Sequence, residues 1–221
     1  MSNIKFFGIY NKVPLNIFQV GINKNDISNH IKIINPEFNY FYFDENDCEK
    51  FIYNNYPEYI YNAYKSLIPI EYRFDMWKYC ILYKYGGIFI DNKYECNIKL
   101  INLIDNNFFV SDKNYYYNKL LIRTDFIVSI PNNYIFKIAI NEIINNIKNN
   151  YYGIDYTFPT GSGLLGNIFS KNKYKSLLYN NNYNILFNNT IVLKTKKNYK
   201  NNNYCNLLWL SKNIYYKNQK Y

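Results

Sequence analysis

The sequence predicts an α/β domain in which a largely parallel sheet is flanked by helices. Three observations carry that reading. Short apolar runs of strand length alternate with stretches of helical periodicity from residue 13 onward. A helix, a glycine pair and a covered strand follow one another in IEYRFDMWKYCILYKYGGIFIDNKYEC, residues 70–96. Finally, 221 residues with 48% hydrophobic content suffice for one substantial core, so residues 1–221 are read as a single domain.

Residues 13–20, VPLNIFQV, read as the first strand, with polar Gln19 near its end. A helix follows over 26–34, capped by Asn25 or Asp26. Residues 38–43 form a strand rich in aromatics. Asp44 and Asp47 then open a helix, where carboxylates suit the helix dipole and cap free amides. Another helix spans 56–66 and stops before Pro69. Ile70, Phe74, Trp77 and Ile81 recur at helical spacing and give the next helix an apolar face. Gly86 and Gly87 end it, because glycine enters the left-handed region at little cost. Ile88, Phe89 and Ile90 have the length and apolarity of a covered strand. Residues 100–104 and 108–111 suggest a turn and a returning strand, and 120–122 with 126–130 a strand pair. Residues 133–149 carry a helical stripe that includes Ile135, Ala139, Ile143 and Ile147. After a glycine-rich turn and a further helix, 185–187 and 191–193 read as short strands and 194–203 as a polar loop. Residues 205–216, CNLLWLSKNIYY, close the domain.

Composition narrows the function classes. The formal charge of +10 admits an anionic partner, but the lysines are scattered singly among Asn, Ile and Tyr. A codon bias toward A and T accounts for the same composition, and no continuous basic stripe marks a nucleic-acid binder. Cys48, Cys80, Cys96 and Cys205 lie far apart without metal-ligand spacing, which fits buried reduced thiols. One histidine, His30, leaves no histidine metal site. No run approaches the ~20 apolar residues that span a bilayer, and the N-terminus lacks the form of a signal peptide. The expectation is a cytoplasmic protein without a membrane span.

Asp91 stands where the covered strand 88–90 meets water, and ligands of open α/β sheets gather at strand carboxyl ends. If the extended conformation continues, Asp91, Lys93 and Glu95 face one side. Asp75 and Lys78, three apart on one helix, are either ligand contacts or a surface ion pair worth about 0.2–0.5 kcal/mol. Arg73 suits a phosphate or is an ordinary exposed side chain. In TFPTGSGLLG, Thr160 or Ser162 caps a helix whose free amides can also face an anion, and Gly161 allows close approach. Trp209 reads as a core residue or a cover for a site.

The central stretch resembles glycosyltransferase family 32, the group with a sugar-binding region containing a DXD motif. The matching residues are Phe74-Asp75, Trp77-Lys78-Tyr79, Tyr85-Gly86-Gly87-Ile88-Phe89 and Asp91-Asn92-Lys93. Two positions depart: Lys78 replaces an arginine, and Lys93 replaces the second motif aspartate. Over the chain, Gln19, the Thr160-Gly161-Ser162 turn and Leu208-Trp209 fit the same pattern more diffusely. The resemblance implies a GT-A-like, Rossmann-like fold. It implies a retaining transferase that moves a hexose or N-acetylhexosamine from a UDP- or GDP-sugar to a glycan or glycoprotein acceptor. Gln19, Arg73, Asp75, Lys78, Asp91 and Asn92 then bind the donor, while Thr160, Gly161, Ser162 and Trp209 lie on the acceptor side. It further implies Mn2+ or Mg2+ at Asp91, acting as a Lewis acid beside the diphosphate. Lys93 admits three outcomes: it replaces the aspartate–metal pair and frees the enzyme from the cation, it points to solvent while Asp91 holds a metal, or catalysis is lost. The last leaves a nucleotide-sugar or glycan-binding module.

Overall fold

The computed structural model describes residues 13–22, 29–105, 107–111, 119–172, 178–180, 184–187, 190–196 and 203–216. In chain order it contains β1 (Asn16–Val20), α1 (Asn29–Ile34), β2 (Asn39–Phe43), α2 (Glu45–Asn55), α3 (Glu58–Ser66), α4 (Ile70–Tyr85), β3 (Gly87–Ile90) and β4 (Tyr94–Cys96). β5 (Phe108–Ser111), β6 (Ile122–Ser129), α5 (Tyr134–Lys148), α6 (Ser162–Asn172), β7 (Leu178–Asn180), β8 (Asn184–Phe187), β9 (Thr190–Thr195) and α7 (Tyr204–Leu210) follow. The start expected for the first helix, 26–28, lies outside the described residues, as do most of the loop 194–203 and the turn at Asn188 and Asn189.

The strands form one sheet in the order β2-β1-β3-β6-β5-β7-β8-β9-β4. β2, β1 and β3 run parallel, whereas β6 is antiparallel to both β3 and β5. The parallel expectation therefore holds for the first part of the sheet. Beyond it the chain returns by hairpins, with β5 and β7 as the remaining parallel neighbours. From β1 the chain steps to β2 on one side and then to β3 on the other, which creates a topological switch point at the carboxyl ends of β1 and β3.

Side chains alternate across the sheet as strand geometry requires. Phe89 and Ile127 join Trp77 and Phe136 in the core on one face, while Ile88, Ile90, Phe126 and Val128 join Leu193 on the other. α4 is the structural pin. Trp77 is fully buried, its ring centroid 4.8 Å from Phe43 and 6.4 Å from Phe89. The helix is buried around most of its circumference rather than along one stripe, since Tyr72, Met76, Tyr79 and Leu82 are enclosed as well. Gly86 (φ +60°) and Gly87 (φ +120°) turn it into β3, and a Cβ at Gly87 would lie 2.6 Å from the Asn16 carbonyl oxygen. Asp44 caps α2 and forms a capping box with Asp47, as expected from the acidic first turn.

Two expectations are corrected. The strand pair placed at 120–122 and 126–130 is one continuous strand, β6, which stays extended through Arg123, Thr124 and Asp125 while its pairing with β5 shifts register, from Phe109 opposite Ile127 to Ser111 opposite Ile122. The extended run past Asp91 also stops at once. The Tyr94 amide donates to the Asp91 carbonyl (3.1 Å) and closes a turn over Asn92 and Lys93. Glu95 consequently faces solvent between buried Tyr94 and Cys96.

Candidate active site

The switch point opens into a cleft of about 660 Å³, within the range of small-molecule sites. Its floor is the end of β1 (Val20, Gly21) and the turn after β3 (Asp91, Asn92, Lys93), and the start of β6 (Arg123, Thr124, Asp125) forms one wall. The first three turns of α4 supply Glu71, Asp75 and Lys78, and Gly161 and Ser162 close the opposite side at the start of α6. α7 reaches the cleft with its first turn, through Asn203, Cys205 and Asn206.

Asp91 is placed by the backbone. Its amide donates to the Asp125 carbonyl (2.8 Å), and its Oδ1 accepts the Lys93 amide (2.9 Å), which stabilises the turn. On the α4 wall, Asp75 and Lys78 are a nearly enclosed pair at 3.1 Å, not a surface pair. The Lys78 ammonium also lies 4.4 Å from the Phe89 ring centroid. Thr160, fully buried, donates its hydroxyl to Asp75 Oδ2 (3.0 Å), and its carbonyl accepts the Tyr79 hydroxyl (2.8 Å). Thr160 therefore holds Asp75 from behind instead of lining the acceptor side or capping α6.

Asp125 is the charge centre of the β6 wall. Its Oδ2 accepts from the Lys93 ammonium (2.6 Å) and the Tyr94 hydroxyl (3.0 Å), and its Oδ1 from Arg123 Nε (2.9 Å). Burial alone would raise the Asp125 carboxyl, but the Lys93 and Arg123 charges outweigh it and hold the group far below the usual carboxylate range. Burial favours a neutral Lys93, yet Asp125 and Asp91 together keep its ammonium charged well into the alkaline range. Glu71 is pushed up by burial, and the nearby Asp75 charge adds to the rise.

Three expected site residues lie elsewhere. Gln19 is fully buried between strands: its amide donates to the Ile90 carbonyl (3.0 Å), and it accepts the Tyr40 hydroxyl. Arg73 points away from the cleft and pairs with Glu45, tying α4 to α2. Trp209 donates its indole N–H to the Tyr152 carbonyl (2.6 Å) and lies under Lys212, because the far end of α7 faces away from the site. Sequence reasoning missed Glu71, Arg123, Thr124 and Asp125. Its one usable signal was that Arg73 and Arg123 are the two arginines among 26 basic residues, a choice that favours bidentate carboxylate or phosphate contacts.

The donor set does not fit a carboxylate-held divalent cation. Asp91 is the one carboxylate of the motif turn, an ammonium stands at the second motif position, and both oxygens of Asp125 accept from cations. Among the described residues no group of three His, Cys, Asp or Glu side chains is placed to hold a metal.

A mixed α/β sheet with its cleft at this switch point defines the class as a GT-A-like fold. A structure described as "PaToxG Glycosyltransferase" superposes with a TM-score of 0.53 at 13% identity, over 73% of this chain and 70% of that one. Residues 23–110, a stretch that contains α4, β3 and the turn carrying Asp91, match the family "Glycosyltransferase sugar-binding region containing DXD motif". The chain is 28% identical over 157 residues to "Inositol phosphoceramide mannosyltransferase 2" of Schizosaccharomyces pombe, covering 66% of this chain and 41% of that protein. It is 34% identical over 87 residues to "Inositol phosphoceramide mannosyltransferase 3" of the same organism, covering 38% and 22%. The chain thus spans less than half the length of these curated relatives.

Proposed function

We propose that this chain is a glycosyltransferase that moves a hexose from a nucleotide-diphospho-sugar to a hydroxyl of a glycan acceptor, with retention at the anomeric carbon. The observation that carries the reading is Asp91, held at the mouth of a switch-point cleft on the segment that matches the sugar-binding family. Mannosyltransferases among the relatives make a mannosyl donor the first to try.

In the transfer, the bond between the sugar C1 and the β-phosphate oxygen breaks and its electron pair leaves with the diphosphate. The acceptor oxygen forms the new bond to C1, and its proton passes to the departing phosphate. The Asp75–Lys78 pair on the α4 wall and the Asp91–Asn92 turn on the floor then hold the donor from two sides of the cleft. Incubation with UDP- and GDP-linked hexoses and N-acetylhexosamines, read by mass spectrometry, tests this. Sugar release or transfer that Asp91→Asn abolishes supports it, and turnover unaffected by that change refutes it.

A further inference from the structure

The β6 wall carries a charge arrangement that the sequence pattern does not announce. Lys93 arrives from the turn after β3, Arg123 and Asp125 from one face of β6, and the three meet in direct contact. Asp125 is less exposed than either cation, at 11% of its side chain against 18% for Lys93 and 17% for Arg123. Both cations line the cleft beside Asp91.

The charge sum is informative. Two carboxylates around one divalent cation total zero. Asp91 and Asp125 with Lys93 and Arg123 also total zero, and Lys93 stands at the motif position that is otherwise acidic. Ammonium and guanidinium groups donate several N–H bonds each, which suits phosphate oxygens. A lysine pinned by a buried carboxylate loses little further side-chain freedom when an anion arrives, and charge fixed in advance needs no reorganisation during reaction.

From this we infer that Lys93 and Arg123 receive the donor's diphosphate in place of a divalent cation, and that Asp125 is the positioning residue that holds them. The inference rests on the donor reading above and goes further by assigning a diphosphate subsite and its anchor.

Calorimetric titration of the full chain with UDP and with GDP, in EDTA and then in excess manganese, tests it. One of the two nucleotides binds in EDTA, and manganese changes its Kd by less than about twofold, while Lys93→Met weakens it about tenfold or more, as loss of a charged hydrogen bond requires. The matching nucleoside, which has no phosphate, binds Lys93→Met as it binds the unaltered chain. Asp125→Asn decides the positioning role by sign. Removing a negative charge should tighten an anion if charge alone matters, whereas loss of positioning weakens it. Tighter binding to Asp125→Asn therefore overturns the anchor. If that variant does not fold, unchanged diphosphate affinity in Lys93→Met overturns the subsite and its loss supports it. Binding seen only with manganese overturns the inference and leaves the donor reading standing, whereas binding of neither nucleotide under any condition removes both.

Discussion

Asp91 reaches the cleft because the chain turns immediately after β3, and the turn is closed by the residue's own carboxylate and carbonyl. It is only partly buried, and asparagine keeps the Oδ1 that accepts the Lys93 amide. Asp91→Asn is accordingly expected to lower turnover roughly 100-fold, the scale of losing one oriented electrostatic group, while the melting temperature stays within a degree or two of the original. Asp125 behaves in the opposite way. Its folded-state carboxyl lies below its unfolded value, so the stability it contributes is present above the unfolded value of about 3.9 and is lost as pH falls below it. Urea midpoints are expected to be flat between about pH 5 and 8 for this group and to decline below pH 4. In Asp125→Asn that decline is shallower, and at neutral pH the variant is destabilised by about 1–3 kcal/mol, because two partly buried, cleft-lining cations lose their charged hydrogen-bond partner. A variant whose acid profile matches the original would show that Asp125 carries no such linkage.

At the scale of elements, the α4–β3 unit depends on its glycine pair. Gly87→Ala brings a Cβ to 2.6 Å from the Asn16 carbonyl in a conformation L residues rarely adopt, so a loss of about 1–3 kcal/mol is expected in denaturant titration. Trp77→Ala removes the ring packed on Phe43 and Phe89 and should cost about 3–5 kcal/mol. This unit was legible in the sequence because periodicity, the glycine stop and the apolar strand all point the same way. β6 was not. Arg123-Thr124-Asp125 has the composition of a loop, and only the pairing of Ile122 with β5 and of Phe126–Ser129 with β3 on either side of it shows that this polar stretch belongs to a sheet wall. The same blindness to partners misplaced Gln19, Arg73 and Trp209. A strand-end glutamine, a helix arginine and a late tryptophan look available for a ligand until Ile90, Glu45 and Tyr152 are seen to occupy them.

Across the molecule, the parallel strands β2, β1 and β3 create the switch point, and the antiparallel β6 delivers a second wall to the same place. The formal charge of +10 is scattered over the sequence, while the cations that matter locally, Lys78, Lys93 and Arg123, are each matched to a carboxylate. Among the described residues no helix is long and apolar enough to cross a membrane. The proposed reading of this cleft is that it accepts an activated sugar. The most direct measurement is a saturation-transfer difference spectrum of a UDP- or GDP-hexose with the purified chain and with Asp91→Asn. The account predicts transfer to the hexose ring protons that the matching nucleoside diphosphate abolishes and Asp91→Asn strongly reduces. Sugar-proton signals equal in both proteins, or absent for every donor, would contradict it.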